Sequence, residues 1–174
     1  PGIYQLSFFN DQSIYLVLFP GDRIHLDIDN SKTAISYYVE NSPESKRVKE
    51  LVDKQTYVLR QVDQLSQAWE LNPPDSLQRR KIDSAYMTIM RAQKEFTEDF
   101  IRQDPKSLAN IMAIYQNFGR KAQPLFDPYD DLSLFRFVDS NLVAAYPLSS
   151  PVIALNREVN QIKENYTDRL ETNQ

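Results

Sequence analysis

The chain of 174 residues contains no cysteine, one histidine and only three glycines, and each shortage excludes a kind of chemistry. Without cysteine, these residues can form no disulfide scaffold, no zinc–thiolate site and no thiol nucleophile. The three glycines complete no dinucleotide-binding, P-loop or nucleophile-elbow motif, so a loop that cradles phosphate is nearly excluded. We therefore expect a non-catalytic chain with no cofactor and no metal.

Long hydrophobic runs and concentrated positive charge are also missing. No stretch reaches the roughly 18 apolar residues of a transmembrane helix, and the first residues do not resemble a secretory signal peptide. The net charge is −4 and no basic cluster is dense enough to follow a phosphate backbone, which argues against a nucleic-acid partner. The hydrophobic fraction of 41% and the charged fraction of 25% are typical of a globular protein.

The first 41 residues have the apolar alternation of β-strands. In "YLVLFPGDRIHLDID", two such runs flank Pro20-Gly21-Asp22, which predicts a β-hairpin. The first run is apolar on both faces and should be buried on both sides, whereas the second has one polar face. A last short strand should end near Val39. We interpret residues 1–41 as the C-terminal part of a small antiparallel β-domain.

The strand-like start at Pro1 suggests an internal position of a longer polypeptide. A sheet that lacked its first strands would leave an open edge, which natural proteins avoid. The alternative is a mature N-terminus left by processing.

Residues 42–170 have helical patterns and should form a helical domain. Ser42 is a good N-cap and Pro43 suits the first helical position. Two apolar seams, from Val48 to Trp69 and from Ile82 to Phe100, predict helices over 44–71 and 76–103, each about 42 Å long. A short proline-containing turn between them makes the pair, 44–103, a long antiparallel helical hairpin.

Three further helices should follow the hairpin. The first begins after Asp104-Pro105 and ends at Gly119, the second begins after Asp130 or Asp131, and the third begins after Ser149 or Ser150. The polar residues 171–174 look like the start of a linker to a missing domain. The predicted fold class is α+β and mostly α: a short antiparallel β-segment, a long antiparallel αα-hairpin and three more helices.

Three groups of residues are candidates for chemistry, and each has a simpler explanation. His25 lies beside Asp27 and could do acid–base work, but a lone histidine on a charged strand face is usually just solvated. Carboxylates along the second long helix, such as those of Glu95, Glu98 and Asp99, share one helix surface rather than facing each other across a cleft.

The stretch "FDPYDD" places three carboxylates close together. Asp127, Asp130 and Asp131 could bind calcium through oxygen ligands, but the glycine and the closing glutamate of an EF-hand loop are missing. Helix capping explains one aspartate and turn formation another. We predict no metal site here.

Aromatic residues make up 11% of the chain, and several do not fit an apolar stripe. Tyrosines off the core face suit protein interfaces, because the ring buries area while its hydroxyl stays hydrated. The equally plausible alternative is that they rim the core. We expect the Trp69 end of the hairpin to project and to be covered by a second copy or by another domain. The candidate interface residues are Trp69, Tyr57, Tyr37 and Tyr38. Tyr129 is a further tyrosine that does not fall on the apolar face of a predicted element.

Four segments taken in order resemble one family. They are "YLVLFPGDRIHLDID", "VENSPESKRVKELV", "FIRQDPKSLANIMAIYQ" and "FRFVDSNLVAAYPLSSPVIALNREV". Together they resemble the N-terminal region of thioredoxin-fold lipoproteins from Bacteroidetes-type bacteria, which are similar to TlpA- and ResA-like thiol-disulfide oxidoreductases. In that family a small β-domain of unknown function leads into a helical segment, and a thioredoxin domain with a Cys-x-x-Cys motif follows.

The resemblance implies a non-catalytic module of a periplasmic or cell-envelope protein. The module would position or dimerise a downstream thioredoxin domain of the same polypeptide, and a homodimer is one implied arrangement. The chain contains no Cys-x-x-Cys pair, so no redox residue carries over. Asn41 replaces a glycine common in the family, which is a small change because asparagine tolerates left-handed φ. The alternative is an independent peptide- or glycan-binding module that uses the hairpin and exposed tyrosines.

Overall fold

The computed structural model describes residues 1–8, 13–29, 36–73, 76–119 and 123–172, with side chains described as far as residue 165. The fold is α+β and mostly α, as predicted. In chain order its elements are β1 Gly2–Ser7, β2 Ser13–Leu18, β3 His25–Asp29, β4 Ser36–Glu40, α1 Pro43–Glu70, α2 Leu77–Gln103, α3 Ala109–Ile114, β5 Asn117–Phe118, β6 Gln123–Pro124, α4 Leu132–Ala145 and α5 Ser150–Thr172.

The four N-terminal strands pair differently from the sequence prediction. The turn at Pro20-Gly21-Asp22 forms, with Gly21 at φ 90° and the Asp22 amide donating to the Phe19 carbonyl at 3.1 Å. However, β2 pairs antiparallel with β1, and β3 pairs antiparallel with β4. Among the described strands, β2 and β3 are not neighbours in one sheet. The predicted hairpin across this turn is therefore wrong, although the turn and the strands are present.

The start of α1 explains why β3 does not pair with β2. The Ser45 hydroxyl accepts from the Val17 amide at 3.1 Å and donates to the Val17 carbonyl at 2.9 Å. In an antiparallel pair both backbone groups of one residue point to the same side, so these bonds occupy the edge of β2 opposite β1. Ser42, the N-cap of α1, accepts from the Ser45 amide and donates to the same carbonyl. The edge is thus closed by a helix rather than by a strand.

Strand β2 is buried on both faces, as its two apolar faces predicted. Ile14 and Leu16 pack with Val39 of β4 in a small cluster beneath the two ribbons. Val17 points the other way and joins the main core formed by the helices. Asn41, at φ 60°, then turns the chain from β4 into α1, which is the left-handed conformation expected of an asparagine at this position.

The two long helices form the predicted antiparallel hairpin. At one end, Arg47 of α1 donates to the carbonyl of Phe100 near the end of α2 at 2.7 Å. At the other end, Arg79 of α2 donates to the carbonyl of Trp69 at 3.0 Å. Both helices begin with a serine whose side chain accepts from a backbone amide of the first turn. The buried apolar positions of the two helices are Val48, Leu51, Val58, Val62, Ile82, Phe100 and Ile101.

The third predicted helix is shorter than expected. Asp104 and Ser107 form a turn in which the Ser107 amide donates to the Asp104 carbonyl, so helix α3 begins only at Ala109. At its other end, Gln116 leaves the helix because its carbonyl accepts from the Leu125 amide at 2.8 Å. Its side chain is buried between Gln93 and Thr97 of α2. Residues after Ile114 therefore form the strand β5 rather than continuing the helix.

Strands β5 and β6 form a short ribbon that periodicity did not predict, because two-residue strands have no measurable repeat. Helices α4 and α5 follow it and complete the main core. Asp131 is at the N-cap position of α4, but its side chain makes no capping hydrogen bond. Helix α5 continues to Thr172, two residues into the stretch predicted as a linker, and the last two residues of that stretch fall beyond the described range.

Candidate interaction surface

The four predicted interface residues lie at separate places along the molecule. Trp69 is 40% exposed in the last turn of α1, and Tyr57 is 58% exposed three turns earlier. Tyr38 on β4 is 56% exposed, with the Lys46 ammonium 5.9 Å from its ring centroid. The structure therefore does not bring these side chains together into one patch.

Tyr37 differs from the other three, because it is half-buried. Successive side chains of a strand point to opposite faces, so Tyr37 faces the small cluster beneath the ribbons while Tyr38 faces solvent. Burial, with a smaller contribution from Asp53, raises the pKa of Tyr37 to about 12. Its hydroxyl is buried and has no hydrogen-bond partner among the described residues. Tyr37 therefore lies at the edge of the small cluster, which is the alternative that the sequence left open for these tyrosines.

The end of the hairpin that carries Trp69, here called the outer end, exposes apolar side chains from both long helices. Leu71, just after α1, is 86% exposed, and Leu77, the first residue of α2, is 62% exposed. Met87 is also exposed two to three turns along α2. Val52, Leu59, Tyr86 and Met90, which lie beside the two apolar seams, are half-buried and pack against this chain's own core.

Leu71, Leu77 and Met87 were not identified from the sequence. Leu71 follows the last seam position and stands directly before "NPP", where a helix must end. A leucine at that place has no helical neighbour to cover it. The position of Leu71 next to this proline turn could have indicated that the end of the hairpin is exposed.

Charges of opposite sign lie on the two helices at the outer end. The last two turns of α1 carry Asp63 and Glu70 and no basic residue. The first two turns of α2 carry Arg79, Arg80 and Lys81 against a single aspartate. The guanidinium of Arg79 lies 3.8 Å from the centroid of the Trp69 ring, a cation–π contact that supports the indole from one side.

Two cavities lie next to the outer end, on either side of Tyr86. One, of about 240 Å³, is lined by residues of α1, α2 and β5, including Val62, Trp69 and Phe118. The other, of about 350 Å³, is lined by α2 and β6, including Met87, Met90 and Leu125. Tyr86 and Gln123 line both, and the Tyr86 hydroxyl donates to the Gln123 side-chain oxygen at 3.5 Å.

The candidates for chemistry occupy solvated or turn-forming positions. His25 Nε2 and Asp27 Oδ1 are 3.2 Å apart, and both side chains are mostly exposed on β3. Glu95 and Asp99 are exposed on α2, and Glu98 is half-buried one turn from Glu95. This arrangement matches the solvated helix surface that the sequence predicted.

Two of the three aspartates of "FDPYDD", Asp127 and Asp131, accept from backbone amides. Asp127 Oδ1 accepts from the amides of Tyr129 and Asp130 at 2.8 and 3.1 Å, which is the predicted turn. Asp131 Oδ2 accepts from the Asp127 amide, and its Oδ1 accepts from the Lys94 ammonium at 2.7 Å. Across the described part of the chain, no group of three or more histidine, aspartate or glutamate side chains is arranged to hold a metal ion.

Comparison with known proteins gives no relative. No protein-family model, no curated protein and no solved structure matches the chain. Within the described residues, none of the helices is both long enough and apolar enough to span a membrane.

Proposed function

We propose that this chain is a non-catalytic pairing module, and that its outer hairpin end is the surface through which two copies associate. One observation carries the proposal: the outer end holds exposed apolar side chains, Trp69, Leu71 and Leu77, on an antiparallel helix pair. Single exposed apolar residues are common, but an aromatic and two leucines around one turn are typical of a contact site.

The charges at the outer end support a second copy as the occupant. In a two-fold symmetric contact, residue i of one copy meets residue j of the other and the reverse. Placing α1 of one copy against α2 of the other brings Asp63 and Glu70 towards Arg79, Arg80 and Lys81 twice. The apolar residues would then lie at the centre and the charges at the rim.

The test is the mass of the protein in solution. Light scattering across a concentration series should show a dimer that dissociates on dilution, with the Trp69 emission shifting to the red as the indole becomes hydrated. Leu71→Glu combined with Leu77→Glu should give a monomer at all concentrations. Leu148→Glu is the matched control, because Leu148 is exposed far from the outer end in the connection before α5. A wild-type monomer at every concentration would contradict the pairing proposal.

The resemblance to thioredoxin-fold lipoproteins supports a place for the module in a cell-envelope thiol-disulfide oxidoreductase. In that arrangement the chemistry belongs to a thioredoxin domain downstream of Gln174 in the same polypeptide, and this module positions or dimerises it. Insulin reduction should be at background level for these 174 residues, because they contain no thiol. The whole polypeptide should carry a Cys-x-x-Cys pair and reduce insulin. If the residues after Gln174 contain no Cys-x-x-Cys pair, this part of the proposal is wrong.

A second candidate is an independent peptide- or glycan-binding module based on Tyr38 and Tyr57. Both rings are exposed and each has a lysine ammonium within 6 Å of its centroid: Lys46 at 5.9 Å and Lys54 at 5.8 Å. An aromatic ring beside a cation can stack on a sugar or an aromatic side chain while the cation binds a carboxylate. Binding on a glycan or peptide array that Tyr38→Ser or Tyr57→Ser abolishes, with the outer-end variants unaffected, would favour this candidate.

A further inference from the structure

The two cavities beside Tyr86 form one surface groove between α2 and the β5–β6 ribbon, here called the α2–β6 groove. Tyr86 and Gln123 line both cavities, and at 3.5 Å the hydrogen bond between them is at the weak end of the range. The cavities of about 240 and 350 Å³ lie at or below the low end of volumes for small-molecule pockets, roughly 300–1,000 Å³. Each is large enough for a side chain rather than for a whole cofactor.

Much of the groove lining is apolar and adaptable, although Ser66 and Glu70 of α1 also line the first cavity. Trp69 and Phe118 contribute aromatic surface to the first cavity, and Met87 and Met90 contribute to the second. Methionine side chains are flexible and polarisable, so they can adjust to different apolar partners. Met87 is largely exposed although it belongs to a cavity wall, which leaves apolar surface without a partner in this chain.

The α2 wall of the groove is basic, in a chain that is acidic overall. Residues 77–94 carry five basic side chains and one acidic one, a net charge of +4, whereas the whole chain has −4. Arg80, Met87, Arg91 and Lys94 are spaced by seven, four and three residues, so they share one face of α2. The groove therefore combines apolar hollows with a line of cations along one wall.

The cations of this wall have hydrogen-bonding capacity to spare. Arg91 is exposed and makes no ion pair with any residue that the structure describes. Lys94 already binds one carboxylate, that of Asp131 at 2.7 Å, but an ammonium has three donors. The Lys94–Asp131 contact also shows, within this chain, that a carboxylate can be held at this end of the groove.

We infer that the α2–β6 groove binds an extended acidic peptide segment that carries apolar side chains. Charge complementarity selects the acidic character, since a basic segment would meet Arg91 and Lys94 in the lining of the second cavity. Two side-chain-sized hollows separated by one tyrosine ring suit an extended segment, which can place one apolar side chain in each. The groove shares Trp69 with the proposed pairing contact, but Met87, Arg91 and Lys94 lie farther along α2, so variants at these positions test the groove separately from pairing.

The experiment uses the whole chain and three labelled peptides of equal length. The first alternates glutamate with leucine and phenylalanine, the second replaces the apolar residues by serine, and the third replaces glutamate by lysine. Fluorescence anisotropy should show saturable binding of the first peptide and at least ten-fold weaker binding of the other two. Because Trp69 lines the first cavity, its emission should shift to the blue as the unlabelled first peptide is added at protein concentrations where light scattering gives the monomer mass.

Two variants and one control test the location of the site. Met87→Ser and Arg91→Glu change exposed side chains of the groove, so the fold should survive, as circular dichroism can confirm. Each should weaken binding of the acidic apolar peptide at least five-fold. Arg157→Glu on α5 makes the same charge change on another exposed surface and should leave binding within two-fold. Binding should also weaken as salt is raised, since the cations are exposed.

Several results would overturn the inference. Equal binding of the basic peptide would remove the role of charge, and equal binding of the serine peptide would remove the role of the hollows. Binding that Arg157→Glu weakens as much as Arg91→Glu would place the site elsewhere. No saturable binding of the first peptide would refute the inference outright, and a dimer that Met87→Ser dissociates would assign the groove to a second copy instead. Failure of peptide binding leaves the mass measurements on Leu71 and Leu77 variants unaffected, so the two proposals are judged separately.

Discussion

The two ends of the helical hairpin have similar sequence patterns but very different surroundings. At the inner end, where α1 begins and α2 finishes, Leu51, Phe100 and Ile101 are fully buried beneath α3 and β2. At the outer end, Trp69, Leu71 and Leu77 are exposed. Heptad periodicity runs through both helices from one end to the other. The difference therefore comes from the rest of the chain, which covers one end and leaves the other open.

Polar groups show the same contrast. At the inner end Glu44 accepts from the Ser107 hydroxyl and the Leu108 amide, while Arg47 donates to Ser107 and to the Phe100 carbonyl. These bonds join α1, α2 and the turn before α3. At the outer end, Arg79 of α2 contacts the carbonyl and the ring of Trp69. Side-chain hydrogen bonds thus tie the inner end to the rest of the chain, whereas the outer end exposes Trp69, Leu71 and Leu77.

The largest expected difference between the two ends is in the stability lost when a side chain is replaced by alanine. Phe100→Ala should lower the free energy of unfolding by about 3–5 kcal/mol, because it removes a buried ring and leaves a cavity under the Arg47 guanidinium, 4.1 Å from the ring centroid. Leu77→Ala at the outer end should change it by less than about 0.5 kcal/mol. Urea unfolding of the monomeric protein measures both. Similar losses for the two variants would mean that the outer end is packed as tightly as the inner one.

A smaller effect is expected where α1 closes the edge of β2. Ser45→Ala removes the only described side chain that binds both backbone groups of Val17, and this site is fully buried. An unsatisfied buried backbone group costs about 1–3 kcal/mol, so the free energy of unfolding should fall by that amount. Ser84→Ala, on the exposed face of α2, is the matched control and should be nearly neutral. Hydrogen exchange at the Val17 amide should accelerate in Ser45→Ala alone.

The helices could be predicted from the sequence because their determinants are local. Ser42 and Ser76 cap α1 and α2, and the prolines between them end the first helix. The predicted bounds of both helices therefore agree with the structure within one residue. The strand pairing could not be predicted in this way. Whether β3 pairs with β2 depends on Ser45 reaching Val17 from 28 residues away, and no pattern within either strand reports that contact.

The candidate surface was predictable only in part. The end of the apolar seam at Trp69 indicated a projecting hairpin. The ribbon of β5 and β6 beside Tyr86 and Met90 was not predicted. It forms because Gln116 ends the preceding helical stretch through bonds to residues distant in sequence. Tyr37 and Tyr38 looked alike in sequence and differ in structure, since only the strand's placement decides which face is inside.

The pH dependence of stability should report on the inner end. Burial, with a contribution from Asp104, raises the pKa of Glu44 above its ordinary value of 4.5, and bonds from Ser107 and from the backbone amides of Leu108 and Ala109 oppose this. Between the unfolded and folded pKa values, the folded protein binds more protons than the unfolded chain. The contribution of Glu44 to the free energy of unfolding should therefore fall as the pH rises from about 4.5 through the folded pKa.

Comparison with Glu44→Gln isolates this contribution. The difference in free energy of unfolding between wild type and variant should decline over that pH range and then level off. Glu50→Gln, exposed on the same helix, controls for removing a glutamate from α1. A difference that grows with pH would reverse the assigned sign and show that the hydrogen bonds to the carboxylate outweigh its burial.

The smallest effect is expected at the outer end itself, where Arg79 covers one side of the Trp69 ring. An exposed cation–π contact contributes about 0.5–1 kcal/mol, so Arg79→Gln should lower the free energy of unfolding by no more than about that amount. The spectroscopic change should be clearer than the change in stability, because Trp69 is the only tryptophan and loss of the guanidinium hydrates one side of the indole. Its emission should shift to the red at concentrations where light scattering gives the monomer mass. Arg80→Gln, next in sequence, should leave the emission unchanged if the ring contact of Arg79 is responsible. A loss of several kcal/mol in Arg79→Gln would instead make this contact a structural tie between the two helices, and the contrast between a stable inner end and an open outer end would no longer hold.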